Sequence, residues 1–191
     1  MGKPNPWRLA AGLSLALAMT ATAAPAGPKA TRPTPARPEF VAFYIPWDAA
    51  ALASLKAHVD DVDVLSPMWA SLVSPAGKVV WESDEPAHAV LAAAAHRPVV
   101  MPILTNAHDD IWDTAAAEAV ILKPAAGAAF ARNLIRHARD DRLAGIVLDF
   151  ENLTPKATAA YPAFLKALRA KLGAAGLELW VTSTLTAEDG L

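Results

Sequence analysis

Cysteine is absent from the 191 residues, so no disulfide staples the fold, and neither a thiolate metal site nor a cysteine nucleophile can exist. Positive charge is also sparse. The chain carries 17 Lys and Arg against 19 Asp and Glu. Setting aside Lys3 and Arg8 near the start leaves fifteen basic residues, a net charge near −4, and no cationic cluster, which argues against a nucleic-acid partner. The five His residues show no H-E-x-x-H spacing, and Ser66 and Ser183 have no His at a motif spacing that would mark a nucleophile. No glycine-rich phosphate loop follows the first strand-like run, where Tyr44-Ile45-Pro46-Trp47 stands instead, so a nucleotide-binding sheet is disfavoured.

Apolar residues, by contrast, make up 54% of the chain, enough for one domain with a sizeable core. Residues 1–23 carry Lys3 and Arg8, an apolar run from Leu9 to Met19, and small residues at Ala21-Thr22-Ala23. These are the three parts of a secretory signal peptide, with an uncleaved N-terminal membrane anchor as the alternative. The run is short for a membrane span, which needs about 20 apolar residues. Either way, the domain is expected to be exported to the periplasm or outside the cell. Residues 24–38 hold five of the sixteen prolines and almost no large apolar residue, the composition of a stiff linker, and the domain is expected from residue 39 to 191.

Within that domain, strand-like and helix-like patterns alternate. Strands are predicted at Phe40–Tyr44, Val62–Met68, Val99–Leu104, Gly145 onward and Leu177–Thr182. Helices are predicted at Ala49–Val59 behind the cap Asp48, at Pro86–His96, at Ala115–Leu122 with Ala125–Arg139 broken at Lys123-Pro124, and at Tyr161–Leu172. Ser74-Pro75-Ala76-Gly77 followed by Val79-Val80-Trp81 predicts a small hairpin. Five strand-then-helix repeats imply an α/β fold with about five parallel strands, either a doubly wound sheet or a partial (β/α)8 TIM barrel.

The stretch Gly145-Ile146-Val147-Leu148-Asp149-Phe150-Glu151-Asn152-Leu153 carries the chemistry. On a strand, residues two apart share a face, so Gly145, Val147, Asp149 and Glu151 are expected on one side and Ile146, Leu148 and Phe150 on the other. Two carboxylates then look into one cavity at the carboxyl end of a buried parallel strand, where barrel enzymes keep their active sites. An acid after a strand can instead cap the next helix. Thr154-Pro155 already supplies that cap and a proline at the first helical position, which leaves Glu151 spare. Tyr44, Trp47, Trp69, Asn106 and Trp112 also fall where strands end. Flat aromatic faces pack on pyranose rings and carboxylates do glycosidic chemistry, so Tyr44, Trp47, Trp69 and Asn106 are the predicted sugar-binding residues. His108-Asp109-Asp110 with Asp113 reads as a solvated loop of acids before a helix in preference to a cation site.

These residues resemble glycoside hydrolase family 18, the chitinase-like barrels whose fourth strand carries D-x-x-D-x-D-x-E. Glu151 stands at the position of the family's general acid and Asp149 at that of the acid which holds the substrate's acetamido group, while Ala144 and Val147 replace the two earlier aspartates. The resemblance extends through Phe43-Tyr44 with Trp47-Asp48, Pro67-Met68-Trp69, Met101 to Asn106, and the helix leading to Gly176-Leu177-Glu178-Leu179. Leu148 to Leu153 is most similar to two bacterial branches, the peptidoglycan glucosaminidases of spore formers and a barrel fused to a polysaccharide deacetylase and a membrane glycosyltransferase.

The resemblance implies a glycosidase acting on β-1,4-linked N-acetylglucosamine polymers such as chitin, peptidoglycan or an exopolysaccharide, by retaining catalysis in which the substrate's acetamido group assists. It implies no cofactor and no metal. A non-catalytic carbohydrate-binding barrel that guides polysaccharide to a partner domain, such as a deacetylase or glycosyltransferase, is the competing expectation. An eight-stranded barrel takes about 250 residues. The chain is therefore expected to be the N-terminal part of a larger barrel.

Overall fold

The computed structural model describes residues 38–108 and 111–183. The predicted signal or anchor and nearly all of the linker lie outside the described residues.

Strand β1, Val41–Tyr44, leads into helix α1, Ala49–His58, whose first turn is capped by Asp48 Oδ1 accepting from the Ala50 N–H at 2.8 Å. Strand β2, Val64–Leu72, outruns its predicted end at Met68 because the Ser74–Gly77 turn brings strand β3, Val79–Trp81, back against Ala70–Leu72 as an antiparallel partner. Helix α2, Glu85–Ala93, begins at the cap Asp84 and carries Pro86 in its first turn. The predicted third strand is split. Val99–Val100 is β4 and Ile103–Thr105 is β5, with Pro102, which has no N–H for a ladder, between them. The short pair β6, Ala107–His108, and β7, Ile111–Trp112, forms its own two-stranded sheet.

Helix α3, Thr114–Leu122, and helix α4, Pro124–Asp140, meet at the predicted Lys123-Pro124 break. Strand β8 is Gly145–Asp149 and strand β9 is Glu178–Val181. Helix α5 between them runs Pro155–Ala174, starting six residues before the predicted Tyr161. Thr154 caps it, its Oγ1 accepting from the Ala157 N–H at 3.1 Å, and Pro162 sits within it. Apolar spacing begins only at Tyr161, which is why periodicity alone placed the start late. Gly176 (φ +79) closes the helix in the left-handed conformation.

The strands lie in the order β1-β2-β5-β8-β9, each parallel to the next. One sheet face is covered by the helices. Leu72, Leu104, Ile146, Leu148 and Phe150 pack there against Val120, Phe130, Leu134, Leu168 and Leu172 of α3 to α5. Tyr44, Leu65 and Trp69 continue that layer beneath α1 and α2 with Leu55 and Leu91. The opposite face gathers Val64, Met101, Ile103 and Val147 with Val41, Met68 and Trp180 packed against them. Alternation along β8 thus runs as predicted from Gly145 to Asp149, with even-numbered residues under the helices. In β2 a bulge between Met68 and Ala70 resets the alternation, so that Trp69 and Ala70 both belong to the helix layer and Ser71 turns to the other face.

Candidate active site

Above the carboxyl ends of β2, β5 and β8 lies an open cleft of about 440 Å³. Asp149, the last residue of β8, lines it beside Thr105, its register partner on β5, and Met68 and Ser71 of β2. Trp47 and Trp112 border it with indoles that are 70% and 36% exposed, and Glu82 and His108 complete its polar lining. Among the described residues, no Lys or Arg lines it. Exposed indoles on a concave acidic surface are suited to a neutral, ring-shaped ligand with many hydroxyls.

Asp149 is held from the side. The residue after β9, Thr182, continues the ladder by donating its N–H to the Leu148 carbonyl at 3.1 Å, and its Oγ1 donates to Asp149 Oδ1. Val147, one step down the same face, is 3% exposed and offers no polar group to Asp149. The Asp149 charge also reaches Tyr161 on α5, whose hydroxyl is buried and finds no hydrogen-bond partner among the described residues; burial first, and that charge second, push the phenol well above its ordinary range.

Glu151 departs from the expectation that both acids share one cavity. Strand β8 ends at Asp149, so the two-residue alternation no longer governs Glu151; the residue is exposed and does not line the cleft. Asn152 follows in the left-handed conformation (φ +52), which turns the chain toward the Thr154 cap. Among the described residues, nothing bonds the Glu151 carboxylate; its main chain is gripped by Asn106, whose Oδ1 accepts from the Glu151 N–H at 2.8 Å and whose Nδ2 donates to the Glu151 carbonyl at 3.0 Å.

Of the four predicted sugar-binding residues, Trp47 alone lines the cleft. Tyr44 and Trp69 are 2% and 4% exposed and belong to the helix-side core, because strand alternation, in phase with Ala42 in β1 and Leu65 in β2, turns both away from the cleft face. Their polar atoms converge on Asp84, which takes the Trp69 Nε1–H at 3.2 Å on Oδ2, the Tyr44 hydroxyl, and the Ala87 N–H at 3.1 Å on Oδ1. Burial, then the Asp84 charge and hydrogen bond, raise the Tyr44 phenol from 10.0 to about 12. Asn106 is 0% exposed with both ends of its amide spent on Glu151, so it serves the backbone in place of a sugar.

Glu82, His108 and Thr182 were missed as site residues. Glu82 reaches the cleft only through the β3 return, and Thr182 through strand pairing 33 residues away from Asp149, neither of which has a local sequence signal. Trp112 had one, its place after the third strand. His108 Nε2 lies 3.5 Å from Asp113 Oδ2, and the other oxygen of Asp113 caps α3 through the Ala116 N–H at 2.8 Å. Asp109 and Asp110 lie outside the described residues. Among those described, no group of three His, Asp or Glu is placed to hold a metal ion.

No protein-family model matches the sequence, and no curated protein does. Solved structures do match in fold. The class V chitinase from Pseudomonas fluorescens Pf-5 is 23% identical, with a TM-score of 0.68 over 76% of this chain and 44% of that one. The chitinase from Chromobacterium violaceum ATCC 12472 is 22% identical, with a TM-score of 0.68 over 80% of this chain and 48% of that one. The spore cortex-lytic enzyme SleL of Bacillus cereus is 17% identical, with a TM-score of 0.63 over 76% of this chain and 35% of that one. The chain spans less than half the length of each of these structures. Five parallel strands in sequence order, helices on one face and a cleft at the strand ends give this chain the fold of part of a chitinase-like barrel, the architecture of glycoside hydrolase family 18.

Proposed function

We propose that the protein is a glycosidase that hydrolyses β-1,4-linked N-acetylglucosamine polymers, such as chitin, peptidoglycan or an exopolysaccharide, with the sugar chain bound along the Trp47–Trp112 cleft. The observation that carries this reading is the placement of Asp149 in an aromatic-bordered cleft at the carboxyl end of the fourth parallel strand, with Glu151 two residues beyond it.

Protonated Glu151 donates to the glycosidic oxygen as the 2-acetamido carbonyl oxygen attacks the anomeric carbon from the other face, so the bond from that carbon to the glycosidic oxygen breaks and the departing sugar leaves with a hydroxyl. Asp149 orients the acetamido N–H and balances the positive charge that develops on the ring so formed. Glu151, now ionised, takes a proton from water, whose oxygen adds to the anomeric carbon, reopens the ring and regenerates the acid with retained configuration. Thr182 keeps Asp149 facing the acetamido group by donating to its Oδ1.

A second reading is favoured by two specific features, apolar Val147 in place of an acid that could share the proton of Asp149, and Glu151 outside the cleft lining. On that reading the barrel binds polysaccharide and guides it to a partner domain such as a deacetylase or glycosyltransferase. Both readings place the protein outside the cytoplasm, by a signal peptide or anchor within residues 1–23. No helix among the described residues is long and apolar enough to cross a membrane.

Glu151→Gln separates the two. It keeps shape and sugar contacts but delivers no proton, so hydrolysis of an N-acetylglucosamine oligomer by the full-length protein falls about 10²–10⁴-fold while the affinity measured by calorimetry stays unchanged. An unsubstituted protein that binds the oligomer yet releases no product above the Glu151→Gln background is a sugar-guiding barrel.

A further inference from the structure

The parallel ladder between β5 and β8 ends at the pair Thr105–Asp149. Beyond it, Asn106 one residue on and Glu151 two residues on do not pair as strands through their main chains, yet a hydrogen-bonded link continues. The Asn106 side chain supplies both halves of it, an acceptor for the Glu151 N–H at 2.8 Å and a donor to the Glu151 carbonyl at 3.0 Å. A carboxamide presents a donor and an acceptor side by side, as a peptide group does, so one side chain satisfies both main-chain groups of a single residue. The amide is fully buried, while the residue it grips is exposed.

The next residue is fixed as well. Thr114 Oγ1, at the start of α3, donates to the Asn152 carbonyl at 3.0 Å and lies 3.3 Å from Asn152 Nδ2. The segment carrying Glu151 is thereby fastened at two consecutive residues, to the loop that follows β5 and to the start of α3, and none of those bonds uses the Glu151 carboxyl. A buried amide spent on the backbone of an exposed acid makes sense where the direction of that acid matters.

We propose that Asn106 is a positioning residue for Glu151, fixing through its main chain the point from which the carboxyl approaches the glycosidic oxygen; this rests on the reading of Glu151 as the proton donor. A misplacement of about 1 Å in a catalytic group costs on the order of 10²-fold in rate. Asn106→Ala therefore lowers kcat for an N-acetylglucosamine oligomer by about 10–10²-fold with KM within about twofold. Asn106→Asp keeps the acceptor for the Glu151 N–H and loses the donor to its carbonyl, so it falls between the two and stands in if the alanine variant does not fold.

Two measurements on the full-length protein decide the matter. Hydrogen exchange tests the clamp independently of activity, since the Glu151 amide is protected in the unsubstituted protein and loses that protection in Asn106→Ala. Free exchange of that amide in the unsubstituted protein overturns the clamp. Kinetics test its purpose, because Asn106→Ala added to Glu151→Gln costs no further rate if Asn106 acts only through Glu151. An equal loss in both backgrounds, or a loss carried wholly by KM, overturns the positioning role. No turnover in the unsubstituted protein, with the amide protected, overturns the hydrolase reading and the catalytic part of the proposal while the clamp stands as a loop fastening.

Discussion

Asp84 is the position at which the structure makes its sharpest claim about stability. Its carboxylate is buried, caps α2 through the Ala87 N–H, and takes the Trp69 indole N–H and the Tyr44 hydroxyl, both from core residues. Asp84→Ala removes the cap, worth about 1 kcal/mol, and leaves two buried donors unpaired, each costing about 1–3 kcal/mol. Water entering the space left by the carboxyl offsets part of this, so the expected loss is about 3–5 kcal/mol, a large share of a typical total of about 5–15 kcal/mol. Asp84→Asn keeps the shape and one acceptor but turns its NH₂ toward a donor, and is expected to cost about 1–3 kcal/mol.

Urea unfolding measures the loss. Alkaline titration followed by near-ultraviolet absorbance tests the cause, because Tyr44 and Tyr161 are the chain's two tyrosines and both phenols are raised by burial. The folded protein therefore shows no phenolate step at pH 10. In Asp84→Ala, Tyr44 titrates closer to 10 but still above it, since burial is the larger cause. The sign follows from the direction of the shift. Tyr44 is held protonated in the folded state, so its contribution is complete below about pH 10 and is lost as pH rises toward 12. A destabilisation below about 1 kcal/mol for Asp84→Ala, or an ordinary phenolate step in the folded protein, refutes the reasoning.

His137 stacks on Trp81 at 3.7 Å, and burial lowers its pKa although Asp141 Oδ2 lies 2.8 Å from its Nε2 and Asp140 also favours the charged ring. The folded state then binds fewer protons than the unfolded one, so stability falls as pH drops below about 6.5. The drop in Tm between about pH 7 and 5 is expected to be smaller in His137→Gln, and an equal drop removes His137 as its source. At Gly145 a Cβ would run into the main-chain carbonyl of Glu178 across the β8–β9 pair. Gly145→Ala is expected to cost about 1–3 kcal/mol in urea unfolding, and an unmoved midpoint would mean the two strands part easily.

Much of the fold was legible because its signals are local. Unbroken apolar runs gave the parallel strands, Asp48 and Thr154 stand at real helix starts, and Lys123-Pro124 divides α3 from α4. Boundaries slipped where a non-local partner decides them. The β3 return lengthens β2, and Pro102 interrupts a strand whose composition is otherwise continuous. The bulge at Trp69 left no trace in composition, and it brings Ala70 to the helix side beside Trp69, which already stands there in phase with Leu65.

The site divides along the same line. Asp149 was readable because alternation holds as far as a strand lasts, and Glu151 lost its predicted cavity because the strand stops two residues earlier. Tyr44 and Trp69 looked like sugar platforms by their rank in the chain, but a strand-end residue has two faces to choose from, and the buried Asp84 carboxylate settles the choice for both. The partner of Asp149 is the most informative case. Val147 offers Asp149 no polar group, and Thr182, just past the neighbouring strand, supplies a hydroxyl instead. A hydroxyl that donates to a carboxylate oxygen fixes the direction in which the other oxygen points. On the proposed reading, Thr182 aims Asp149 at the acetamido N–H, which serves sugar binding, and the proton transfer of catalysis falls to Glu151 alone.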